Sequence, residues 1–89
     1  MKTNEIIVRK PTEAEISDMK QKPVWGCEVS EFDWYYDSVE KCLIIEGEVT
    51  VEYDGGSVSF GVGDYVVFPK GLACVWKVTK PVRKHYVFS

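Results

Sequence analysis

The sequence predicts an all-β domain with one short N-terminal helix. Three observations support this fold class: short β-prone runs fill the chain after residue 23, turn signals separate them about every 6 to 12 residues, and only one segment carries helix signals. The 89 residues leave room for one domain. We therefore predict a single domain over residues 1–89, with a strand and the helix in residues 1–23 and a barrel in residues 24–88.

The first 23 residues carry the signals for one strand and one helix. A β-prone run over residues 5–9 predicts the strand. Thr12 and Glu15 have the spacing of a capping box, which predicts a helix over residues 13–20. Pro23 ends this segment, because the residue before a proline is pushed out of the helical region.

The rest of the chain is predicted to form short strands. Gly47, the Asp54-Gly55-Gly56 turn and Lys80-Pro81 are among the breaks between them. Such even spacing of short strands is typical of a sandwich or barrel. The predicted strands cover residues 24–29, 32–36, 40–46, 48–53, 57–60, 65–68, 73–79 and 82–88.

Composition excludes several classes of function. The net charge of −3 provides no basic surface for a phosphate backbone, so we expect no nucleic-acid partner. No apolar run approaches the roughly 20 residues of a membrane helix, and the N-terminus lacks the apolar core of a secretory signal. The three cysteines have no C-x-x-C spacing, which favours a reducing, cytoplasmic location over a disulfide scaffold or zinc ribbon.

Two separated motifs carry a family resemblance. Gly63, Pro69-Lys70-Gly71 and Cys74 follow the spacing G-x5-P-x-G-x2-H-x3-N, with cysteine at the histidine position. Upstream, Glu40 and Gly47 fit the end of G-x5-H-x-H-x3,4-E-x6-G. In this order, the motifs resemble those of the cupin superfamily, over roughly residues 24–88.

The closer resemblance is to small single-domain cupins related to the cupin domains of ureidoglycine aminohydrolases. The phrases at residues 29–36 and 81–86 look typical of that group. The resemblance implies a compact jelly-roll barrel, and many such proteins have no established reaction.

The chain departs from the family at the metal site. In a metal-binding cupin, three histidines and a glutamate converge on one ion. The histidine positions are occupied here by Trp34, Tyr36 and Cys74, and only Glu40 is retained. We therefore predict no metal and no cofactor, although a third ligand beside Glu40 and Cys74 could come from Cys42 or His85.

Strand alternation predicts which side chains share the barrel interior. If Glu40 and Cys74 face inward, Cys42, Ile44, Leu72, Trp76 and Val78 do so too. We predict a pocket formed by a set of aromatic, acidic and thiol side chains: Trp34, Tyr36, Glu40, Cys42, Cys74 and Trp76.

Each of these residues also has a structural interpretation. The aromatic side chains either form a ligand wall or fill the barrel. Glu40 is either an acid–base group or a hydrogen-bonded buried carboxylate. Cys74 is either a ligand or nucleophile, or a small hydrophobe. His85 is either a base or anion anchor at the rim with Arg83, or a half-exposed strand residue.

Two functional hypotheses follow. The first is a small-molecule enzyme or binding protein that uses the barrel pocket, and the second is a non-catalytic interaction or structural module with a packed interior. A metalloprotein with a divergent site is a third, lesser hypothesis. We also expect a homodimer, because alternation places Leu43, Ile45, Val49 and Val51 on the outer face.

Overall fold

The computed structural model describes residues 6–89, which form one helix and seven strands. The predicted first strand begins at Glu5, which lies outside the described residues. In chain order, the elements are β1 (Ile7–Arg9), α1 (Glu13–Met19), β2 (Val24–Cys27), β3 (Ser30–Tyr35), β4 (Glu40–Tyr53), β5 (Gly56–Gly61), β6 (Tyr65–Phe68) and β7 (Ala73–Phe88). The predicted mostly-β class with one short helix is confirmed.

The long strands β4 and β7 form the centre of the sheet. They run antiparallel along their whole length, and every other strand except β1 pairs with one of them. The first half of β4 also pairs with β6, and its second half with β5. β3 and β2 pair with the first and second halves of β7. The strand order in the sheet is β1-β6-β4-β7-β2. No ladder among residues 6–89 joins the first and last of these strands, β1 and β2, so the predicted closed barrel is not shown.

Two of the breaks predicted from the sequence, Gly47 and Lys80-Pro81, lie inside continuous strands and do not separate shorter ones. Gly47 lies within β4 and Pro81 within β7, where the ladder between the two strands changes register. Gly47 has a φ of 91°, and a β-carbon there would lie 2.2 Å from the carbonyl oxygen of Pro81. The breaks therefore mark a bulge, where glycine permits close approach and proline lacks the N–H of a ladder bond.

This bulge reverses the inward parity of β4. Ile44 faces the core before it, but Val49 and Val51 face the core after it, and both are fully buried. The prediction that Val49 and Val51 lie on the outer face is therefore wrong, because one irregular residue exchanges the two faces of a strand. The predicted homodimer loses part of its basis and stays a prediction.

The helix α1 begins as predicted and covers a second, smaller cluster. The Thr12 hydroxyl accepts from the N–H of Glu15, and the Glu15 carboxylate accepts from the N–H of Thr12. The helix ends at Met19, one residue earlier than predicted, and Met19 packs against Leu43 and Tyr65. No helix in the described part of the chain has the length and apolarity to cross a membrane.

The close approach at the bulge can be tested with a matched pair of glycines. Gly71 also has a positive φ, 90°, but a β-carbon there would meet nothing within 4 Å. We expect Gly71→Ala to lower the free energy of unfolding by about 1–2 kcal/mol, the cost of left-handed backbone for an L-residue. Gly47→Ala adds a backbone clash and should cost about 2–5 kcal/mol. Equal losses in urea denaturation would contradict the close approach of β4 and β7.

Candidate functional site

An aromatic cavity of about 160 Å³ opens beside the C-terminal half of β7. One acidic and one basic side chain share this cavity with seven aromatic ones. The lining residues are Trp25, Phe32, Trp34, Tyr36, Glu40, Trp76, Lys84, Tyr86 and Phe88. We call this the aromatic cavity.

Strand geometry brings these side chains together. Trp76, Lys84, Tyr86 and Phe88 are all at even positions of β7, and alternate residues of a strand share a face. The strands β2, β3 and β4 add side chains from the neighbouring ladders. The backbone of Tyr36, just after β3, is held by the loop before β7: its N–H donates to Leu72, and its carbonyl accepts from Gly71.

A buried ion pair lies against the aromatic walls. The Lys84 Nζ donates to Glu40 Oε2 at 2.7 Å, and the two residues are only 5% and 2% exposed. Glu40 and Lys84 belong to the central strands β4 and β7. Removing two charges from water is costly, and good geometry and further contacts must offset that cost.

Two indole rings supply further contacts to the ammonium. The Lys84 Nζ lies 4.4 Å from the ring centroid of Trp76 and 5.0 Å from that of Trp25. A cation over an indole face is stabilised by about 0.5–2 kcal/mol, more when it is desolvated. Lys84 is thus held by one carboxylate and two aromatic faces.

Two buried donors beside the ion pair form no hydrogen bond of ordinary length and angle, although the Tyr36 hydroxyl lies near both the Glu40 carboxylate and the Trp76 indole N–H. The Tyr36 hydroxyl and the Trp76 Nε1 are both buried, and no atom of the described residues 6–89 completes a bond with either. Burial, and then the charge and hydrogen-bonding proximity of Glu40, raise the pKa of Tyr36, and the nearby Trp76 N–H lowers it only slightly, so the hydroxyl stays protonated. A buried donor with no partner at all costs about 1–3 kcal/mol, so two donors with only poorly aligned partners are candidates for contact with a ligand.

Four of the six predicted pocket residues line the aromatic cavity. Trp34, Tyr36, Glu40 and Trp76 do so, with Trp34 exposed at the edge and the other three buried. Cys42 and Cys74 do not. Cys42 is enclosed in the apolar core, and Cys74 lies beneath an open surface groove between β3 and β4.

Burial makes both core thiols poor nucleophiles. It raises the pKa of Cys42 to about 12 and that of Cys74 to about 11, with the nearby Glu40 charge acting in the same direction. The Lys84 charge opposes the shift at Cys42 without cancelling it. Because the thiolate is the reactive form, the structure favours the interpretation of these cysteines as small core residues.

Lys84 is the principal site residue that sequence reasoning missed. Its signal was present, since strand alternation places Lys84 on the face shared by Tyr86 and Phe88. Sequence analysis assigns a lysine to the solvent-exposed surface unless a partner is known, because lysines are almost never fully buried unless paired. His85 lies on the opposite face of β7, where Nδ1 contacts the carbonyl of Lys22 at 3.0 Å.

The donors around Glu40 do not fit a cupin metal ion. No group of three histidine, cysteine, aspartate or glutamate side chains among residues 6–89 could hold one. The expected histidine positions carry Trp34, Tyr36 and a buried Cys74, and the Glu40 carboxylate already binds an ammonium. We therefore derive no chemistry through a metal at this site.

Comparison with known proteins agrees with the two motifs. Residues 14–86, most of the chain, match the EutQ-like cupin domain. The chain belongs to this cupin family. No curated protein matches it significantly.

Solved structures show the same fold. A DUF861 family protein of Thermotoga maritima is 48% identical, with a TM-score of 0.90 over 96% of this cupin and 100% of that protein. The EutQ protein of Clostridium difficile is 28% identical, with a TM-score of 0.68 over 73% of this cupin and 52% of EutQ. A Pseudomonas syringae DUF861 protein of unknown function is 31% identical, with a TM-score of 0.67 over 74% of this cupin but only 29% of that chain.

The buried ion pair predicts an asymmetric response to mutation. Lys84→Met keeps most of the side-chain volume but leaves the Glu40 carboxylate buried without its cation. We expect a loss of about 3–5 kcal/mol in the free energy of unfolding, measured by urea denaturation. The double variant Glu40→Gln with Lys84→Met should lose less, because no unpaired charge remains.

The matched control for this prediction is Lys80→Met on the same strand. Lys80 is exposed, and its pair with Glu48 spans 3.7 Å, so its loss should be below about 1 kcal/mol. A Lys84→Met variant as stable as Lys80→Met would contradict the buried pair.

Thiol labelling tests the burial of the cysteines. With iodoacetamide at pH 8, we expect the native protein to be modified at Cys27, which is partly exposed, and not at Cys42 or Cys74. All three should react in guanidinium chloride, and Cys27→Ser should leave the native protein unlabelled. Native-state labelling of Cys74 as fast as Cys27 would contradict its burial, since Cys74 is only 7% exposed in the surface groove.

Proposed function

We propose that this cupin domain binds a compact, planar small molecule in the aromatic cavity. The observation that carries the proposal is the pair of buried donors without a well-formed hydrogen bond, Tyr36 and Trp76, in a cavity that also contains the Glu40–Lys84 pair. Ligand sites commonly combine apolar and aromatic walls with a few polar groups.

The volume limits the size of the ligand. A cavity of about 150 Å³ holds a benzene-sized molecule, and the aromatic cavity measures about 160 Å³. The flat walls favour a planar ring or a planar conjugated group. Larger ligands would extend past Trp34, which is 47% exposed.

The polar groups favour a ligand with both an acceptor and a donor. The hydroxyl of Tyr36 and the Nε1 of Trp76 donate, whereas the carboxylate of Glu40 accepts. A cyclic urea, amide or lactam presents a carbonyl oxygen and an N–H side by side. The resemblance to ureidoglycine aminohydrolase cupins, carried by residues 29–36 and 81–86, supports the same chemical class.

A non-catalytic structural role is the second candidate. One observation favours it: Tyr36 and Trp76 are themselves almost fully buried and stack within the core, Tyr36 on Phe68 at 4.8 Å. A packed module of this kind would bind no small planar molecule.

Adjacent aromatic residues on β3 provide the test. Trp34 lines both the aromatic cavity and the surface groove, whereas Tyr35, at 61% exposed, lines only the groove, so a loss confined to Trp34→Ala assigns binding to the cavity. With 2-pyridone and imidazolidin-2-one as probes, we expect Trp34→Ala to weaken binding about 3- to 10-fold, the value of an aromatic contact. Tyr35→Ala should bind like the unmodified protein.

Calorimetry and ligand-observed NMR would measure these affinities. Failure of both probes to bind the unmodified protein at millimolar concentration would favour the structural role. Equal loss in Trp34→Ala and Tyr35→Ala would place binding outside the aromatic cavity.

A further inference from the structure

One member of the ion pair, Glu40, stands at the motif position where a metal-binding cupin has its glutamate ligand. Glu40 fits the glutamate of the cupin motif, and that glutamate would be a metal ligand. Here its Oε2 accepts from the Lys84 ammonium at 2.7 Å. The histidine positions of the motif carry Trp34, Tyr36 and Cys74. The positive charge beside Glu40 is therefore that of the Lys84 side chain.

The Lys84 ammonium retains donor capacity. A protonated lysine has three N–H donors, and within residues 6–89 one hydrogen bond from Lys84 is formed, to Glu40. Trp76 and Trp25 contact the ammonium through their ring faces, which accept no conventional hydrogen bond. With Tyr36 and Trp76, the site contains three side chains that can donate to a ligand.

We propose that the Lys84 ammonium is a built-in cation that replaces the cupin metal and binds the carbonyl oxygen of a neutral ligand. The first part of this proposal, that the Lys84 ammonium takes the place of the metal ion, rests on the ion pair alone. The binding of a carbonyl oxygen rests on the proposed function, because it requires a ligand in the aromatic cavity.

Charge balance favours a neutral ligand. Glu40 and Lys84 cancel, so a bound carboxylate would leave one uncompensated negative charge in a site of low polarity. An organic cation would meet the Lys84 ammonium. A carbonyl oxygen brings no net charge and can accept hydrogen bonds from the Lys84 ammonium, the Tyr36 hydroxyl and the Trp76 N–H.

The first arm of the test concerns the metal and uses the unmodified protein. We expect protein purified without added ions to contain less than 0.1 metal ion per chain, and Zn²⁺, Ni²⁺ or Mn²⁺ to leave its melting temperature unchanged. Glu40→Gln should respond in the same way. A stoichiometric ion, or a metal-induced stabilisation that Glu40→Gln abolishes, would overturn the replacement of the metal.

The second arm concerns the ligand and uses a cavity variant. Lys84→Ala removes three carbons and the ammonium, which is the size of propylammonium. We expect 2-pyridone to bind Lys84→Ala at least 10-fold more weakly, the effect of losing one charged hydrogen bond. Propylammonium should restore affinity to within about 3-fold, and 1-propanol of the same size should not. Lys80→Ala, on the same strand but exposed, should bind normally.

The possible outcomes distinguish the replacement of the metal by Lys84 from the contact between its ammonium and a carbonyl oxygen. Unchanged affinity in Lys84→Ala, or equal rescue by 1-propanol, would overturn the role of the ammonium. If Lys84→Ala does not fold, the double variant Glu40→Gln with Lys84→Met leaves no unpaired charge and should still bind 2-pyridone at least 10-fold more weakly. If the unmodified protein binds neither 2-pyridone nor imidazolidin-2-one, the proposed function and the carbonyl contact both fail, and the metal arm alone decides the replacement of the metal.

Discussion

The buried contact between Glu40 and Lys84 constrains the rest of the site. It joins the two long central strands, β4 and β7, at the end of the molecule where the aromatic cavity opens. A carboxylate buried without its ammonium would be strongly destabilising, so the two strands must keep their register there. Trp25 and Trp76 are in turn held against the ammonium, and their rings form part of the cavity wall.

Much of the fold could be predicted from local signals. The capping box at Thr12 and Glu15 located the helix, and the turn at Gly55-Gly56 located the hairpin between β4 and β5. The merging of four predicted strands into β4 and β7 could not be predicted. Gly47 and Pro81 are strong breakers in isolation, but opposite each other they permit a bulge within a continuous ladder. The bulge then moved Val49 and Val51 inward.

The site was only partly predictable for a similar reason. Motif spacing and alternation identified Trp34, Tyr36, Glu40 and Trp76, all of which line the cavity. Cys42 lies in the core and Cys74 at the surface groove. Sequence could not separate these places, because inward orientation on a strand does not distinguish the core from a particular cavity wall. Lys84 was missed because its burial depends on a partner 44 residues away in the sequence. Such a pairing is visible only once the register of β4 against β7 is known.

The most direct measurement is the NMR spectrum of the Lys84 ammonium in uniformly ¹⁵N-labelled protein. We expect a slowly exchanging NH₃⁺ signal, shifted upfield by the two indole faces, unchanged by a metal chelator and displaced when 2-pyridone is added. Lys84→Met should remove this signal and identify it. A Lys84 ammonium that exchanges as fast as the exposed lysines, with an ordinary shift, would contradict a buried cation in the aromatic cavity.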